Sequence, residues 1–285
     1  MCLSKDEQNL FFSLFTGLNS NEVICHVTRV GGGFGGKESR NVIPCVTVAL
    51  AAYNLQLPVR LCLTREEDMK ITGHRYPFKM CYKVGFLNNG KLKSLDLSLF
   101  ANGGCSTDAG PMMMERAMLH CDNVYKCENM RVKGRVCRTN LPANTAMRGF
   151  GGPEGLFAAE FVIDQVCNYL QGNGDPSIIR ELNTYKPGEK TFFNQKLEKD
   201  DWHVPEMWKK LKETGQYEKR LKDVDEFNAK NEYRKRGLCI MGTKFGIGAT
   251  SALYFHQAGA SINIYKDGSV LITHGGMSVY STIGS

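Results

Sequence analysis

The sequence predicts an α+β fold, and three features carry that prediction. Alternating apolar and polar runs flank Asn88-Asn89-Gly90, and a second pair flanks Lys266-Asp267-Gly268. Both are hairpin signals, because asparagine, aspartate and glycine accept positive φ. Apolar residues then recur at helical spacing from Leu156 to Leu170, directly after Pro153. A glycine-rich loop over 31–36 also separates a branched, strand-like run from a helical one. With 42% hydrophobic and 23% charged residues, the 285-residue chain has a globular rather than a disordered composition.

Taken in order, the N-terminal stretch holds Leu10, Phe11, Phe12, Leu14 and Phe15, yet Lys5 is followed at once by Asp6 and Glu7. No small-residue cleavage site follows, so a secretory signal is rejected and a cytoplasmic protein expected. Val23–Val30 reads as a strand leading into the glycines, and Val42–Leu55 as a helix with Pro44 near its first turn. Pro58–Thr64 reads as a short strand, and Phe78–Leu87 with Lys91–Phe100 as the first hairpin. Pro153 suits the first helical position; Leu156, Phe157, Phe161, Ile163, Val166, Cys167 and Leu170 form the apolar face, and Gly172 or Gly174 ends it. Asn183–Asp201 reads as an irregular connection. Tyr217, Leu221, Val224 and Phe227 mark an amphipathic helix, and Ala258–Tyr265 with Ser269–Thr273 form the last hairpin.

Several function classes drop out. Thirty-six basic against twenty-nine acidic residues give a net charge of +7, but the excess is diffuse and accompanies no nucleic-acid recognition motif. No apolar run approaches the roughly 18–20 residues of a membrane helix. The eleven cysteines contain no CxxC pair and the six histidines no HxxxH spacing, so no metal held directly by side chains is expected. An odd cysteine count without a secretion signal points to reduced thiols.

The most informative segment is Gly31-Gly32-Gly33-Phe34-Gly35-Gly36-Lys37-Glu38. It satisfies G-x-G-x-x-G, yet Tyr53–Leu57 lacks the acidic residue that would hold a ribose. It nearly satisfies a phosphate loop, yet Glu38 stands where a hydroxyl must reach magnesium. What remains is a loop whose backbone N–H groups can approach an anionic or polarised ligand beside a helix start, or else a tight turn. A second loop, Ala146-Met147-Arg148-Gly149-Phe150-Gly151-Gly152-Pro153, repeats the design. Arg148 can fork onto an anionic or oxo group, and Phe150 can stack on a flat ring or join the core.

Arg29–Arg40 (RVGGGFGGKESR), Met114–Ala117 (MERA), Thr139–Gly155 (TNLPANTAMRGFGGPEG) and Arg236–Ile247 (RGLCIMGTKFGI) together resemble the molybdenum-cofactor region of the xanthine dehydrogenase and aldehyde oxidase family. The resemblance implies a molybdopterin-binding fold in two parts, residues 1–190 and the start of a second domain over 191–285. It implies molybdenum held by a pyranopterin dithiolene, with electrons leaving through two 2Fe-2S clusters and FAD in domains that lie outside this chain. It further implies hydroxylation of a small purine or aldehyde, and a homodimer at full length. By motif position, Phe34, Gly35 and Arg148 match cofactor contacts; Glu38 and Arg116 match the pair that orients a purine; Phe150 matches a ring that sandwiches the substrate. A side chain at Gly35 would on this reading obstruct the metal centre.

The family's second sandwiching phenylalanine precedes a threonine, whereas here Ala249 precedes Thr250. Glu38 and Arg116 favour the xanthine type and Ala249 the aldehyde oxidase type. The sequence after His274-Gly275-Gly276 departs from the family's next cofactor loop, and the family's glutamate base lies beyond it. These departures predict a fragment that is inactive in isolation, and leave a non-catalytic product keeping only the fold as a further reading.

Overall fold

The structure is a computed structural model that describes residues 13–26, 32–170, 175–248 and 259–274. Its helices and mixed sheet make it α+β. After a helical turn over 13–16, helix α1 (Val42–Leu55) has the bounds the sequence predicts. A short helix, α2 (Arg65–Ile71), follows a full capping box in which Thr64 accepts from the Glu67 N–H and Glu67 accepts from that of Thr64. Strands β1 (Phe78–Phe86) and β2 (Leu92–Gly104) pair antiparallel, as predicted. Their turn uses Gly90 at φ +85°, and Asn183 Nδ2 holds the Gly90 carbonyl at 2.9 Å.

Strand β3 (Asn129–Arg138) joins the far side of β2, parallel to it, with Leu97 opposite Val132. Parallel neighbours need a crossover connection, and it contains helix α3 (Gly110–Met118), which begins with a proline in its first turn. Gly134 lets this helix lie close to β3, since a Cβ there would come within 2.5 Å of the Met114 side chain. Helix α4 (Gly152–Tyr169) closes the core. Leu95, Leu97, Leu99 and Ala101 alternate inward from β2 and meet Met113 and Ala117 from α3 and Ala158, Val162, Ile163 and Val166 from α4.

Helix α5 (Pro176–Asn183) is pinned beneath by Arg180, whose guanidinium bonds Glu160 at 3.0 Å and Asp164 at 2.6 Å. An irregular connection follows, with isolated bridges from Thr184 to Tyr125 and from Lys190 to Lys196. Helices α6 (Val204–Thr214) and α7 (Tyr217–Lys230) gather a small second cluster around Trp208, Tyr217 and Ile240. Strands β4 (Ala260–Ile264) and β5 (Val270–His274) form the second predicted hairpin.

Two predicted strands are not found as such. Residues 58–63 are irregular, with no ladder partner among the described residues, and Thr64 is already a helix cap. Residues 23–26 are likewise irregular, while 27–30 lie outside the described residues. The α4 helix ends at Tyr169 with Leu170 as its cap, ahead of the predicted glycine stop.

Candidate functional site

The two glycine loops meet. Phe34 takes φ +53° and Gly35 φ +87°, and the turn they make presents the Phe34 carbonyl to the Arg148 N–H at 2.9 Å. Gly35 then lies flat on the second loop: a Cβ there would sit 2.7 Å from the Ala146 carbonyl carbon, closer still to its oxygen, and 3.0 Å from the Met147 nitrogen. The sequence-based expectation was that this glycine is bare to admit a ligand; the structure shows a protein backbone filling that space.

The second loop has its own strain. Gly149 takes φ +87° and Phe150 φ +56°, and Phe150 N–H bonds back to the Met147 carbonyl at 2.6 Å. Arg75 crosses beneath and locks the shape. Its guanidinium donates to the Arg148 carbonyl, to the Phe150 carbonyl at 3.0 Å and to Glu154 at 3.2 Å. Phe150 is half-buried and packs against the main core. Phe34 and the Arg148 side chain are exposed.

On the near side of the first loop, Ser39 donates to Asp108 at 2.6 Å and Thr145 donates to the same carboxylate at 2.9 Å, so Asp108 ties the two loops together from below. Arg40 adds a bond to the Ala143 carbonyl at 3.3 Å. Glu38 is half-buried and faces this group closely enough, with Asp108, to help burial push the Tyr76 phenol well above its ordinary value. Tyr76 is 3% exposed and its hydroxyl has no partner among the described residues.

Arg116 occupies the other side, at the last turn of α3. Gly151 and Gly152 bring the second loop onto it: a Cβ at Gly151 would lie 2.7 Å from the Ala117 nitrogen, and one at Gly152 would overlap the Phe245 ring. The guanidinium sits 4.9 Å over that ring and donates through Nη2 to the Gly246 carbonyl at 2.8 Å. Its Nε and Nη1 are buried and have no partner among the described residues. Burial lowers the guanidinium's pKa, although the group stays charged at any working pH.

The structure therefore brings Phe34, Gly35, Arg148 and Phe150 onto one double loop, with Arg116 beside its Gly151–Gly152 end and Glu38 just after its first loop, on the side of Tyr76. Thr250 and Ala249 lie outside the described residues. Sequence reasoning missed Arg75, Asp108, His120 and Phe245. Arg75 and Asp108 carry no local signal. His120 stands four residues after Arg116, a same-face spacing on a helix that could have drawn it in.

The molybdopterin cofactor-binding domain family matches this chain over residues 6–184 and again over 210–279. The chain belongs to that family. The xanthine dehydrogenase/oxidase of Mus musculus is 47% identical over 267 residues, covering 93% of this chain and 20% of that protein. The xanthine dehydrogenase of Emericella nidulans is 45% identical over 273 residues, covering 96% and 20%. The chain thus spans 20% of the length of these two relatives. The crystal structure of quinoline 2-oxidoreductase from Pseudomonas putida 86 superposes with a TM-score of 0.73 at 20% identity, over 98% of this chain and 36% of that one, and so supports the fold.

The residues of this molybdopterin-binding chain fit the group their family is named for. A buried hydroxyl left unpaired, as at Tyr76 beside the first loop, is costly unless a ligand takes it. Loop N–H groups and an arginine suit an anionic organic cofactor better than a bare cation. Among the described residues, no group of three or more His, Cys, Asp or Glu side chains is placed to hold a metal directly. Among them also, no helix is long and apolar enough to cross a membrane.

Proposed function

We propose that this chain is the cofactor- and substrate-facing segment of a molybdenum hydroxylase that oxidises purines of the hypoxanthine and xanthine type. The observation that carries this reading is Arg116, 9% exposed and with two guanidinium donors unpaired beside the family's loops. The 47% and 45% identity to xanthine dehydrogenases supports the same substrate class. Matches on either side of residue 190 support two domains, divided at 190/191.

In this reading the Phe34–Gly35 turn and Arg148 hold the cofactor. When bound, molybdenum in its pterin dithiolene supplies two-electron oxidation of a carbon, with oxygen drawn from water. The chain's own residues do the rest. Arg116 donates Nε–H and Nη1–H to a purine carbonyl and neutralises negative charge that builds there. Glu38, from the opposite end of the double loop, accepts a ring N–H and fixes which carbon faces the metal. Phe150, held half-buried by the core, offers one ring face to the flat heterocycle. By motif position alone, Thr250 is also assigned to substrate binding.

The test places residues 6–279 into the mouse relative in place of its matching segment and measures kcat/KM on xanthine and on a small aldehyde. Leaving buried polar groups of the substrate unpaired costs about 1–3 kcal/mol, so Arg116→Met should cut kcat/KM for xanthine about tenfold or more. The aldehyde rate should hold. Equal losses on both substrates would give Arg116 a structural role and remove the purine reading.

A further inference from the structure

Taking Arg116 as the substrate-facing arginine, as proposed above, the geometry points to His120 as the positioning residue that holds it, working only while its imidazole is neutral. The two residues close a ring through one residue, Gly246. Arg116 Nη2 donates to the Gly246 carbonyl at 2.8 Å, and the Gly246 N–H donates to His120 Nε2 at 2.9 Å. His120 Nδ1 lies 2.7 Å from the Arg116 carbonyl. A carbonyl can only accept, so the proton is on Nδ1; an N–H can only donate, so Nε2 presents its lone pair. Both hydrogen-bonding groups of Gly246 are thereby used to tie the arginine's tip to its own backbone.

Phe245 stiffens the ring. Its centroid is 4.9 Å from that of His120, and the Arg116 guanidinium sits over the same ring at 4.9 Å. A guanidinium is planar, so anchoring Nη2 and packing the plane on an aromatic ring orients the remaining donors. Those donors, Nε and Nη1, are the two that have no partner among the described residues. Without His120, the backbone at Gly246 would lose its anchor on the N–H side, and the carbonyl that holds the guanidinium could shift with it.

Protonation breaks the arrangement, because an imidazolium carries a proton on Nε2 and would face the Gly246 N–H with a second donor. The surroundings resist it. His120 is 3% exposed, and burial is the largest influence holding its pKa below the ordinary histidine value. The Arg116 carbonyl pulls the other way, while the cations of Arg116 from α3 and Lys244 from the following segment push it further down. Lys244 is itself engaged by Asp122 at 2.6 Å, and α4 contributes the uncharged Gly155 next to this turn. The clamp's contribution is therefore full above the ordinary histidine value of about 6.5 and is lost as pH falls through the depressed one.

The test uses the 285-residue chain. Long-range nitrogen–proton correlation spectra should show His120 as the neutral Nδ1–H tautomer at pH 7, titrating below about 6.5. An Nε2–H tautomer, or titration at or above that value, overturns the proposal. Hydrogen exchange at the Gly246 amide gives the second readout. In the native chain its protection should fall about tenfold through the His120 titration, the size of one net hydrogen bond. His120→Gln, which keeps an uncharged acceptor, should stay protected across the same range, and His120→Ala should be unprotected throughout. Should the alanine variant not fold, native and glutamine forms alone decide: parallel pH profiles refute the clamp. Added hypoxanthine separates this from the functional reading. A shift of the Arg116 Nε–H that disappears in acid in the native chain but persists in His120→Gln supports both. No shift at pH 7, with the tautomer and exchange results as expected, removes the purine role of Arg116 and leaves the His120 clamp standing.

Discussion

Adjacent glycines in the first loop should respond to alanine in opposite ways. At Gly35, φ is +87° and a Cβ would press on the Ala146–Met147 peptide at 2.7 and 3.0 Å. Left-handed backbone costs a non-glycine residue about 1 kcal/mol or more, and forcing an extra carbon into a filled space costs about 1–3 kcal/mol. Neither neighbour can yield cheaply, because both are backbone. Gly35→Ala should therefore lose roughly 2–4 kcal/mol, which at about 2–4 °C per kcal/mol lowers the melting temperature by roughly 5–15 °C. At Gly36 the nearest atom to a Cβ is the flexible Met147 Sδ at 3.7 Å, and φ is not positive. Gly36→Ala should stay within about 0.5 kcal/mol of the native chain, since the alanine also restricts the unfolded state. Melting curves and urea midpoints of the two variants measure the contrast. Equal stabilities for both, or a Gly36→Ala that falls as far as Gly35→Ala, would refute the reading that the two loops brace each other through Gly35.

Other consequences follow from buried charge, capping and thiol burial. Arg180 is 3% exposed between Glu160 and Asp164, so Arg180→Met should leave Glu160 uncompensated and cost about 3–5 kcal/mol by urea denaturation; a loss under about 1 kcal/mol would contradict this. Asp175 caps α5 through the Ser177 N–H at 2.8 Å and accepts from Tyr217 Oη at 2.7 Å. Burial pulls its pKa up, but these bonds outweigh it and leave the carboxyl below the ordinary aspartate value. Its contribution is complete above about pH 3.9 and is lost on further acidification, so Asp175→Ala should cost about 1–2 kcal/mol at pH 7 and converge with the native chain in acid. Burial pushes the Cys121 thiol well up, whereas Cys81 and Cys137 are exposed; timed alkylation at pH 8 should label the latter two first and spare Cys121 until unfolding.

Local signals account for what the sequence made readable. Val42–Leu55, the Asn88–Gly90 hairpin and the helix after Pro153 announce themselves through proline, glycine and period; the first two stand as read, while the third ends at Tyr169 and leaves Phe157 of its predicted apolar face exposed. Strand β3 was missed although Met130, Val132 and Val136 alternate with Arg131, Lys133 and Arg135, because a parallel strand comes without a turn signal. Helix α3 is short and hides behind a glycine and a proline, so Arg116 could be named from its motif but not placed. The 58–64 run has strand composition, yet a strand needs a neighbour, and the described residues provide none. The same gap affects α1, which is apolar nearly all round yet contributes no buried residue. Contacts between distant loops were beyond local reading altogether: nothing near Gly35 points to Ala146, and nothing near Arg116 points to Gly246.

The central claim is that the double loop of Phe34–Gly35 and Arg148–Phe150 forms the molybdopterin seat. Its most direct test is the pterin and molybdenum content of the mouse relative carrying this segment, with Arg148 present and with Arg148→Ala. The Arg148 side chain is exposed and its backbone carbonyl is held by Arg75, so melting curves on the same samples separate a lost fold from a lost cofactor. The account predicts a fully loaded protein with arginine and a several-fold loss of both pterin and metal with alanine. Full pterin and metal in the alanine variant, or a folded but pterin-free protein with Arg148 intact, would contradict it.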